Sequence, residues 1–250
     1  MTRREKPLTF FVSDVHLGSR AGGATELERR FLHFLDHLPE HTRALYLLGD
    51  IFDFWYEYKY VIPAGYTRVL GRLAALVDRG VKVYFMAGNH DVWAYRYFEQ
   101  ELGLIPLTQP AQVEIDGKRF CLGHGDGLGP VPMDYRFLRG VFHCRFLQVL
   151  FSALHPRWAF GLGYAWSRHS RLSKAEAAEK YVFQGEQEPL WKYAQAYSQE
   201  HRVDYFVFGH YHTPYQAALP GGAQFFILGD WIHGADYLCF DGERLTWGQG

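Results

Sequence analysis

The sequence of 250 residues has little cysteine and no long apolar segment. Its three cysteines, Cys121, Cys144 and Cys239, lie far apart and fit no zinc-binding spacing, which favours structural thiols in a reduced, intracellular compartment. No stretch approaches the roughly 20 apolar residues that a membrane-spanning helix needs. The apolar run that follows the charged first residues, Leu8–Val12, is too short for a signal peptide. We therefore expect a soluble protein, or one that lies at most on a membrane surface.

Positive and negative charges are nearly balanced over the whole chain. The 26 Lys and Arg residues stand against 27 Asp and Glu residues, for a net charge of -1, so the chain as a whole shows no bias toward nucleic acid. Residues 135–175 depart from this balance, because they contain basic residues and no Asp or Glu. The basic residues of this segment are Arg136, Arg139, Arg145, Arg157, Arg168, Arg171 and Lys174.

Five short clusters of Asp, Asn and His follow apolar runs that are typical of buried strands. They are D-V-H at 14–16, G-D at 49–50, G-N-H-D at 88–91, G-H-G-D at 123–126 and G-H-Y-H at 209–212. Because ligands of α/β proteins bind at the carboxyl ends of the strands, we expect these polar groups to meet in one cleft. Oxygen and imidazole ligands without cysteine predict a metal-dependent hydrolase.

Apolar periodicity predicts an α/β protein. Helical spacing covers 26–38, 66–79 and 93–102, and Asp-Gly pairs at 116–117 and 241–242 indicate hairpins. The order βαβαβ followed by hairpins predicts mixed sheets, packed together with helices on their faces. We expect a single domain of residues 1–250, within which residues 133–200 form an almost strand-free helical insertion.

Two interpretations of this insertion are compatible with the sequence. It is either a helical subdomain whose arginine stems cover a small core of its own, or a lid with an apolar interior and a cationic face. The complete lack of acidic residues over 135–175 favours the lid, which would suit an anionic lipid or a membrane surface.

The polar clusters supply enough ligands for two metal ions. The seven candidates are Asp14, His16, Asp50, Asn89, His124, His210 and His212. Two divalent ions a few Å apart need about this number, with one carboxylate bridging them. Carboxylate, amide and imidazole ligands suit Mn²⁺, Fe or Zn²⁺. The spacing of two at 14 and 16, and again at 210 and 212, predicts that each pair lies on one face of an extended segment.

The motifs D-x-H, G-D-x-x-D, G-N-H-D, G-H-G-D and G-H-x-H, in this order, resemble those of the calcineurin-like metallophosphoesterase superfamily. The resemblance implies a four-layer α/β sandwich of two mixed β-sheets flanked by helices, with a dinuclear metal centre. It implies that one ion is held by Asp14, His16 and His212, the other by Asn89, His124 and His210, and that Asp50 bridges them. It also implies that His90 lies beside the phosphate, where it protonates the leaving group or stabilises the transition state, with Asp53 as its orienting partner.

Residues 49–55, 124–128 and 146–151 are similar to the UDP-2,3-diacylglucosamine hydrolases of bacterial lipid A synthesis. This resemblance implies hydrolysis at the α-phosphorus, which releases UMP and 2,3-diacylglucosamine 1-phosphate, with Mn²⁺ as the favoured metal. It implies a cytoplasmic protein, peripheral on the inner face of the bacterial inner membrane, whose insertion holds the acyl chains. The residues then expected to contact the nucleotide and sugar are Arg168, Ser170, Arg171 and Lys174.

Other functions stay open at this point. The best-known branch of the hydrolases has Arg in place of His90, which leaves room for a sister subfamily with another substrate. A metallophosphoesterase acting on soluble nucleotides or phosphodiesters would not require the apolar insertion, and a non-catalytic scaffold would be expected to have lost ligands. The oligomeric state is open too. Asp230 and His233 are expected near the site, in a supporting, structural or catalytic role, and Asp91 is expected to support the Asn89-His90 loop as a helix cap.

Overall fold

The computed structural model describes the backbone of residues 6–19, 23–178 and 184–250, and the side chains of 6–19, 23–167 and 184–250. Within these ranges the chain forms eleven strands and seven α-helices, which alternate only as far as β4. In chain order they are β1 (Leu8–Val12), α1 (Ala24–Asp36), β2 (Thr42–Leu48), α2 (Thr67–Asp78), β3 (Lys82–Met86), α3 (Tyr97–Leu102), β4 (Ile105–Leu107), β5 (Ala111–Ile115), β6 (Lys118–Leu122), α4 (Met133–His143), α5 (Arg145–Ser152), α6 (Pro156–Ala178), α7 (Pro189–Glu200), β7 (Tyr205–Phe208), β8 (Tyr215–Ala218), β9 (Gln224–Ile227), β10 (Asp236–Phe240) and β11 (Leu245–Gln249).

The strands form two mixed sheets. The first has the order β11-β10-β1-β2-β3-β4, in which β1 to β4 run parallel and β10 pairs antiparallel with β1. The second has the order β5-β6-β7-β9-β8, in which β6, β7 and β9 run parallel. Both predicted hairpins are present, as β5–β6 and β10–β11. The predicted sandwich of two mixed sheets flanked by helices is therefore confirmed.

Alternating side chains of β1 show how the layers are held together. Phe10 and Val12 pack with Phe31 and other residues of α1 and α2 on the outer face of the first sheet. Phe11 points the other way, toward Phe120 of the second sheet, with ring centroids 5.5 Å apart. Successive side chains of a strand face opposite sides, and full burial of each phenyl ring contributes about 1.5–3 kcal/mol. One strand thus binds two layers together.

The predicted helix over 93–102 is wrong in its first turn. Helix α3 begins only at Tyr97, because the carboxylate of Glu57 accepts the backbone N–H groups of Tyr95 and Tyr97 at 2.8 and 3.1 Å. Glu57 caps the helix from a distant loop, a contact that local sequence spacing does not reveal. Because the helix begins later than predicted, Trp93 lies outside it.

The helical block after β6 divides into two parts. Helix α7 packs Leu190, Trp191 and Ala194 against the outer face of the second sheet and completes the fourth layer of the sandwich. Helices α4, α5 and α6 expose many of their apolar side chains. From here on, the term insertion refers to these three helices and no longer to the whole predicted block. The predicted block over 133–200 therefore contains one helix that belongs to the sandwich itself. Within the described ranges, no helix combines the length and the hydropathy needed to cross a bilayer.

Candidate metal centre

The five polar clusters follow the carboxyl ends of β1, β2, β3, β6 and β7. The first three strands are parallel neighbours in one sheet, and the last two are parallel neighbours in the other. Within the first sheet, the backbone N–H of His16 donates to the carbonyl of Asp50 at 3.0 Å. The two sheets meet at this edge, because the amide of His210, which follows a strand of the second sheet, donates to Asp14 Oδ2 at 2.9 Å. The clusters therefore converge in one cleft, as the strand ends predicted.

The local backbone of the cleft differs from the extended segments that the spacing of two suggested. Asp14, His16, Asp50, His210 and His212 all have positive φ, between 51° and 73°. The predicted extended conformation is wrong, because each of these residues sits in a left-handed turn. Such a conformation is uncommon for residues other than glycine and costs of order 1 kcal/mol or more. The grouping of five such residues in one cleft indicates that the surrounding fold imposes the geometry of the site.

A first candidate metal position consists of Asp14, His16, His212 and Asp50. One ligand atom from each of them lies within 4.8 Å of all the others. His212 Nε2 is 3.3 Å from both Asp14 Oδ1 and His16 Nε2, and His16 Nε2 is 3.9 Å from Asp50 Oδ2. The ligand atoms of the first position are therefore already assembled.

A second position lies on the other side of Asp50. His124 Nε2 is 3.4 Å from Asp50 Oδ2 and 3.3 Å from Asn89 Oδ1. His210 stands beside His124, with ring centroids 5.2 Å apart. Asp50 Oδ2 thus faces histidines of both positions, which is the geometry required of a bridging carboxylate.

These residues fit two divalent ions. Asp14 Oδ1 and Asp50 Oδ2 are fully buried, and among the described residues neither oxygen has a hydrogen-bond partner. A buried carboxylate oxygen without a partner is costly unless a cation satisfies it. Metal bonds of about 2.0–2.2 Å place neighbouring ligand atoms about 3–3.5 Å apart, close to the separations of 3.3–3.4 Å found here. The donor set and its spacing therefore both match metal ligation.

Asp91 holds the turns that carry the ligands. Its Oδ1 accepts the backbone N–H of Gly88 at 2.7 Å, and its Oδ2 accepts that of Ile51 at 2.9 Å. Asp91 supports the Asn89-His90 loop as expected, but its expected role as a helix cap is wrong, because α3 begins only at Tyr97. The carboxylate instead joins the G-N-H-D turn to the turn that follows β2. Burial and the charge of Asp50 raise the pKa of Asp91 to about 7.

Asp50 and His124 influence each other's ionisation strongly. Burial acts against the charge of Asp50, yet His124 and His90 together keep the pKa of Asp50 well below its usual range. Burial likewise opposes the charge of His124, but the carboxylate of Asp50 raises the pKa of His124 to about 10. His124 Nδ1 donates to the carbonyl of Leu48 at 3.0 Å, which leaves Nε2 to face the cleft. A cation that binds at Nε2 therefore displaces a proton.

His90 lies at the rim of the centre. Its backbone N–H donates to Asp50 Oδ1 at 2.8 Å, and its Nε2 is 4.0 Å from Asp50 Oδ2. The Nδ1 atom of His90 lies 2.9 Å from the backbone carbonyl of Asp53 and 3.2 Å from Ser167 Oγ. The carboxylate of Asp53 has Oδ1 3.6 Å from His16 Nδ1, and one of its oxygens lies within 4.8 Å of a ring nitrogen of His90 as well. Asp53 therefore contacts His90 through its main-chain carbonyl, and its carboxylate lies near both His90 and His16.

A cavity of about 460 Å³ joins the second position to the insertion. Asn89, His90 and His210 line it from the strand ends, while Phe142 and Trp166 line it from the insertion. Sites for small organic ligands have a similar size and a similar mixture of apolar walls with a few polar groups. The polar end of this cavity is the metal centre itself.

Aromatic residues of the sandwich pack against the insertion. Trp93 stacks on Phe151 with ring centroids 5.5 Å apart, and its indole N–H donates to the carbonyl of Phe142 at 3.1 Å. Phe54 lies so close to Gly163 of α6 that a β-carbon at position 163 would come within 2.3–2.5 Å of its ring. Glycine therefore permits the close approach of α6 to the metal-bearing layer.

The residues expected at the nucleotide and sugar lie in α6. Arg168, Ser170, Arg171 and Lys174 have helical backbone there, but their side chains lie outside the described residues. Polar cavity residues that the sequence interpretation did not assign are found in α4 instead. Tyr135, Arg139 and His143 all line the cavity, and their spacing of four, which places residues on one helix face, was the available signal.

Residues 8–214 match the family described as calcineurin-like phosphoesterase. The UDP-2,3-diacylglucosamine hydrolase of Porphyromonas gingivalis is 38% identical, and the match covers 95% of each chain. The proteins of that name from Stenotrophomonas maltophilia and Aeromonas salmonicida are 30% and 28% identical, over 95% and 94% of this chain and 96% and 91% of their own.

A match over most of the chain to this family, on the fold and strand-end clusters described above, establishes its class: the chain belongs to the calcineurin-like phosphoesterase family. It is a metal-dependent phosphoesterase or pyrophosphatase that uses two divalent ions.

Proposed function

We propose that this enzyme hydrolyses the pyrophosphate bond of UDP-2,3-diacylglucosamine in lipid A synthesis, releasing UMP and 2,3-diacylglucosamine 1-phosphate. The observation that carries the proposal is the direct opening of the metal centre into a cavity with aromatic walls supplied by the insertion. A soluble nucleotide would not require those walls, whereas acyl chains would. The relatives that carry this substrate in their name support the proposal, because they match almost the whole chain.

In this proposal Asp14, His16 and His212 would hold one divalent ion, Asn89, His124 and His210 would hold the other, and Asp50 would serve both. Bound there, two ions such as Mn²⁺, which these oxygen and nitrogen ligands suit, would supply an activated water and neutralise charge on the phosphoryl oxygens. Asp91 keeps the ligand-bearing turns in register through its bonds to backbone amides.

His90 acts on the reacting phosphate. The Asp53 carbonyl accepts a hydrogen bond from Nδ1, so Nε2 is the atom left to face the centre. From there it protonates the departing phosphate oxygen or stabilises the charge that develops on the phosphoryl group. The carboxylate of Asp53 supports this arrangement indirectly, by facing His16.

The insertion is proposed to act as the lid of the site. Its apolar cavity residues would hold the acyl chains, and Arg168, Ser170, Arg171 and Lys174 on α6 would contact the nucleotide and sugar. The lid corresponds to α4, α5 and α6, since α7 packs on the second sheet. We also infer that it lies within a single structural domain that comprises residues 1–250.

The outer surface of the insertion is proposed to dock on the cytoplasmic face of the bacterial inner membrane. Phe137, Phe146 and Trp158 are 69–75% exposed and do not line the cavity. Arginines are interspersed among them, and no acidic residue occurs over 135–175. Exposed apolar groups with a cationic surround fit an anionic bilayer. A membrane-bound enzyme could take its lipid substrate directly from the bilayer.

Product analysis tests the proposed reaction. The purified enzyme is loaded with Mn²⁺ and incubated with UDP-2,3-diacylglucosamine, with UDP-N-acetylglucosamine as a control that keeps the pyrophosphate but lacks the acyl chains. We expect UMP and the acylated sugar phosphate from the first substrate, and turnover of the second that is at least about 100-fold slower because its apolar contacts are missing. Comparable turnover of both substrates would contradict the lipid assignment and favour a soluble nucleotide.

A further inference from the structure

The histidines of the two metal positions contact different groups through their Nδ1 atoms. His212 Nδ1 donates to Asp230 Oδ2 at 3.1 Å, and Asp230 is almost completely buried. His16 Nδ1 lies 3.6 Å from the carboxylate of Asp53. In the second position, His124 Nδ1 donates to the neutral carbonyl of Leu48 at 3.0 Å. Two buried carboxylates therefore stand behind the first position.

The loop that carries Asp230 contacts the first position twice. The backbone N–H of Trp231 donates to the carbonyl of Asp14 at 3.1 Å, next to the contact of Asp230 with His212. The Trp231 side chain is fully buried against Phe31, with ring centroids 5.2 Å apart. The loop is thus anchored in the core, so Asp230 cannot move away without disturbing the packing.

Asp230 is itself held in one orientation. Its Oδ1 accepts the backbone N–H of His233 at 2.8 Å, and the imidazole of His233 lies 2.9 Å from Oδ2. A carboxylate fixed in this way sets the tautomer of His212, so that its Nε2 is the atom available to a metal. It also raises the basicity of that nitrogen, as carboxylates behind metal-binding histidines generally do.

We propose that the two metal positions are unequal, that the position of Asp14, His16 and His212 fills first, and that Asp230 is the positioning residue that tightens it. The inference rests on the ligand assignment of the proposed function. The first position has a carboxylate of its own besides Asp50, whereas the second has the neutral amide of Asn89. Its ligand atoms are also already assembled, so less reorganisation accompanies binding of the first ion.

Titration of the metal-free protein with Mn²⁺ tests this order. Calorimetry gives the affinities and stoichiometry, and electron paramagnetic resonance distinguishes an isolated Mn²⁺ from a spin-coupled pair. We expect two separate steps in the wild type, with the coupled signal appearing only in the second. Asp230→Asn should weaken the tighter step about 10- to 100-fold and leave the weaker step within about threefold, so that the two steps approach each other.

Two further variants assign the steps without relying on Asp230. Asn89→Ala should keep the tight step and lose the weak one, whereas His212→Ala should lose the tight step. Asp78→Asn, at the exposed end of α2, is the matched control for a lost carboxylate and should titrate like the wild type. Circular dichroism and thermal melting of each variant establish that it is folded.

The outcomes separate this inference from the proposed function. A wild type that binds fewer than two ions per chain would contradict the dinuclear assignment itself. Two ions bound with equal affinity, or loss of the tight step in Asn89→Ala, would overturn the proposed order. Two unequal steps that Asp230→Asn leaves unchanged would remove Asp230 from its role.

Discussion

The metal centre and the insertion depart from ordinary protein burial in opposite directions. At the strand ends, Asp14, His16 and Asp50 are completely buried although they are polar or charged. In the insertion, Phe137 and Phe146 are mostly exposed although they are large and apolar. Buried charge needs a counter-charge, and a large exposed apolar surface indicates a partner. The buried carboxylates therefore fit bound cations, and the exposed apolar surface is the basis for the membrane docking proposed above.

The two regions also differ in how their geometry is fixed. The centre is held by backbone hydrogen bonds, buried carboxylates and left-handed turns at the ends of two sheets. The insertion rests on the sandwich through aromatic contacts, such as that between Trp93 and Phe151, and through single hydrogen bonds, such as that from Trp93 to the carbonyl of Phe142. Directional bonds define a catalytic geometry, whereas apolar packing tolerates adjustment. We therefore expect substitutions in the centre to affect turnover, and substitutions in the insertion to affect binding.

The largest effect is expected from Asp50→Asn, which removes the carboxylate shared by both metal positions. The kcat for a soluble phosphodiester should fall by about 1000-fold or more, because neither ion keeps its place. Binding of an acylated ligand, followed by tryptophan fluorescence, should change less than about threefold, since the insertion is untouched. Equal losses of turnover and acyl binding would contradict the assignment of turnover to the centre and of binding to the insertion. Asp78→Asn serves as the control for the loss of a carboxylate charge.

His90→Ala is expected to have the next largest effect. A group that acts only on the developing transition state contributes about 100- to 10,000-fold to the rate. The kcat should therefore fall within this range while KM changes little. Thermal melting with and without Mn²⁺ checks that the amide of residue 90 still supports Asp50. A change confined to KM would show that His90 binds substrate and takes no part in the chemistry.

Most of the metal centre could be predicted from the sequence, because its signals are local. Apolar runs ending in Asp, Asn or His define strand ends, and the bounds of β1 (Leu8–Val12) agree with the run read from the sequence. Parallel strands then bring their carboxyl ends to one edge without further information. The contacts around Asp50 and His124 agree with that expectation.

The remainder depends on contacts between residues distant in the sequence. Glu57 caps α3 across about forty residues, and Asp91 joins two turns that come from different strands. The left-handed turn at His16 is imposed by backbone bonds to the loop after β2, including the one from His16 N–H to the carbonyl of Asp50. The insertion was predicted as helical from its composition, but composition did not show which of its side chains face the cavity.

A smaller effect is expected at the outer surface of the insertion. Replacing Phe137 and Phe146 together by Ser should lower partition onto phosphatidylglycerol vesicles about tenfold, because less apolar surface enters the bilayer. Co-sedimentation measures the partition, and turnover of a soluble phosphodiester should stay within about twofold of the wild type. The control Ile105→Ser removes a partly exposed apolar side chain from β4, outside the insertion. An equal loss in the control would contradict docking through the insertion.

The smallest effect is expected for Arg139→Ala, which tests whether the insertion contributes polar as well as apolar contacts. Arg139 Nε donates to Asp126 Oδ2 at 3.0 Å, and Asp126 also contacts Gln109. This link directs the guanidinium toward the cavity that contains Asn89 and His210. Since the Arg139 side chain is 38% exposed, solvent screening should limit its contribution to substrate binding to about 1 kcal/mol, or about fivefold in KM.

Steady-state kinetics with the lipid substrate show whether the position of the Arg139 charge matters or only the total positive charge of the insertion. Arg157→Ala removes an exposed arginine of the same insertion that does not line the cavity, and its KM should stay within about twofold of the wild type. Arg139→Lys should recover only part of the affinity, because lysine cannot hold Asp126 and reach the substrate at once. An equal rise in KM for Arg157→Ala and Arg139→Ala would show that the insertion attracts substrate through its overall positive charge. In that case the insertion would supply no directional polar contact, and the metal centre alone would do so.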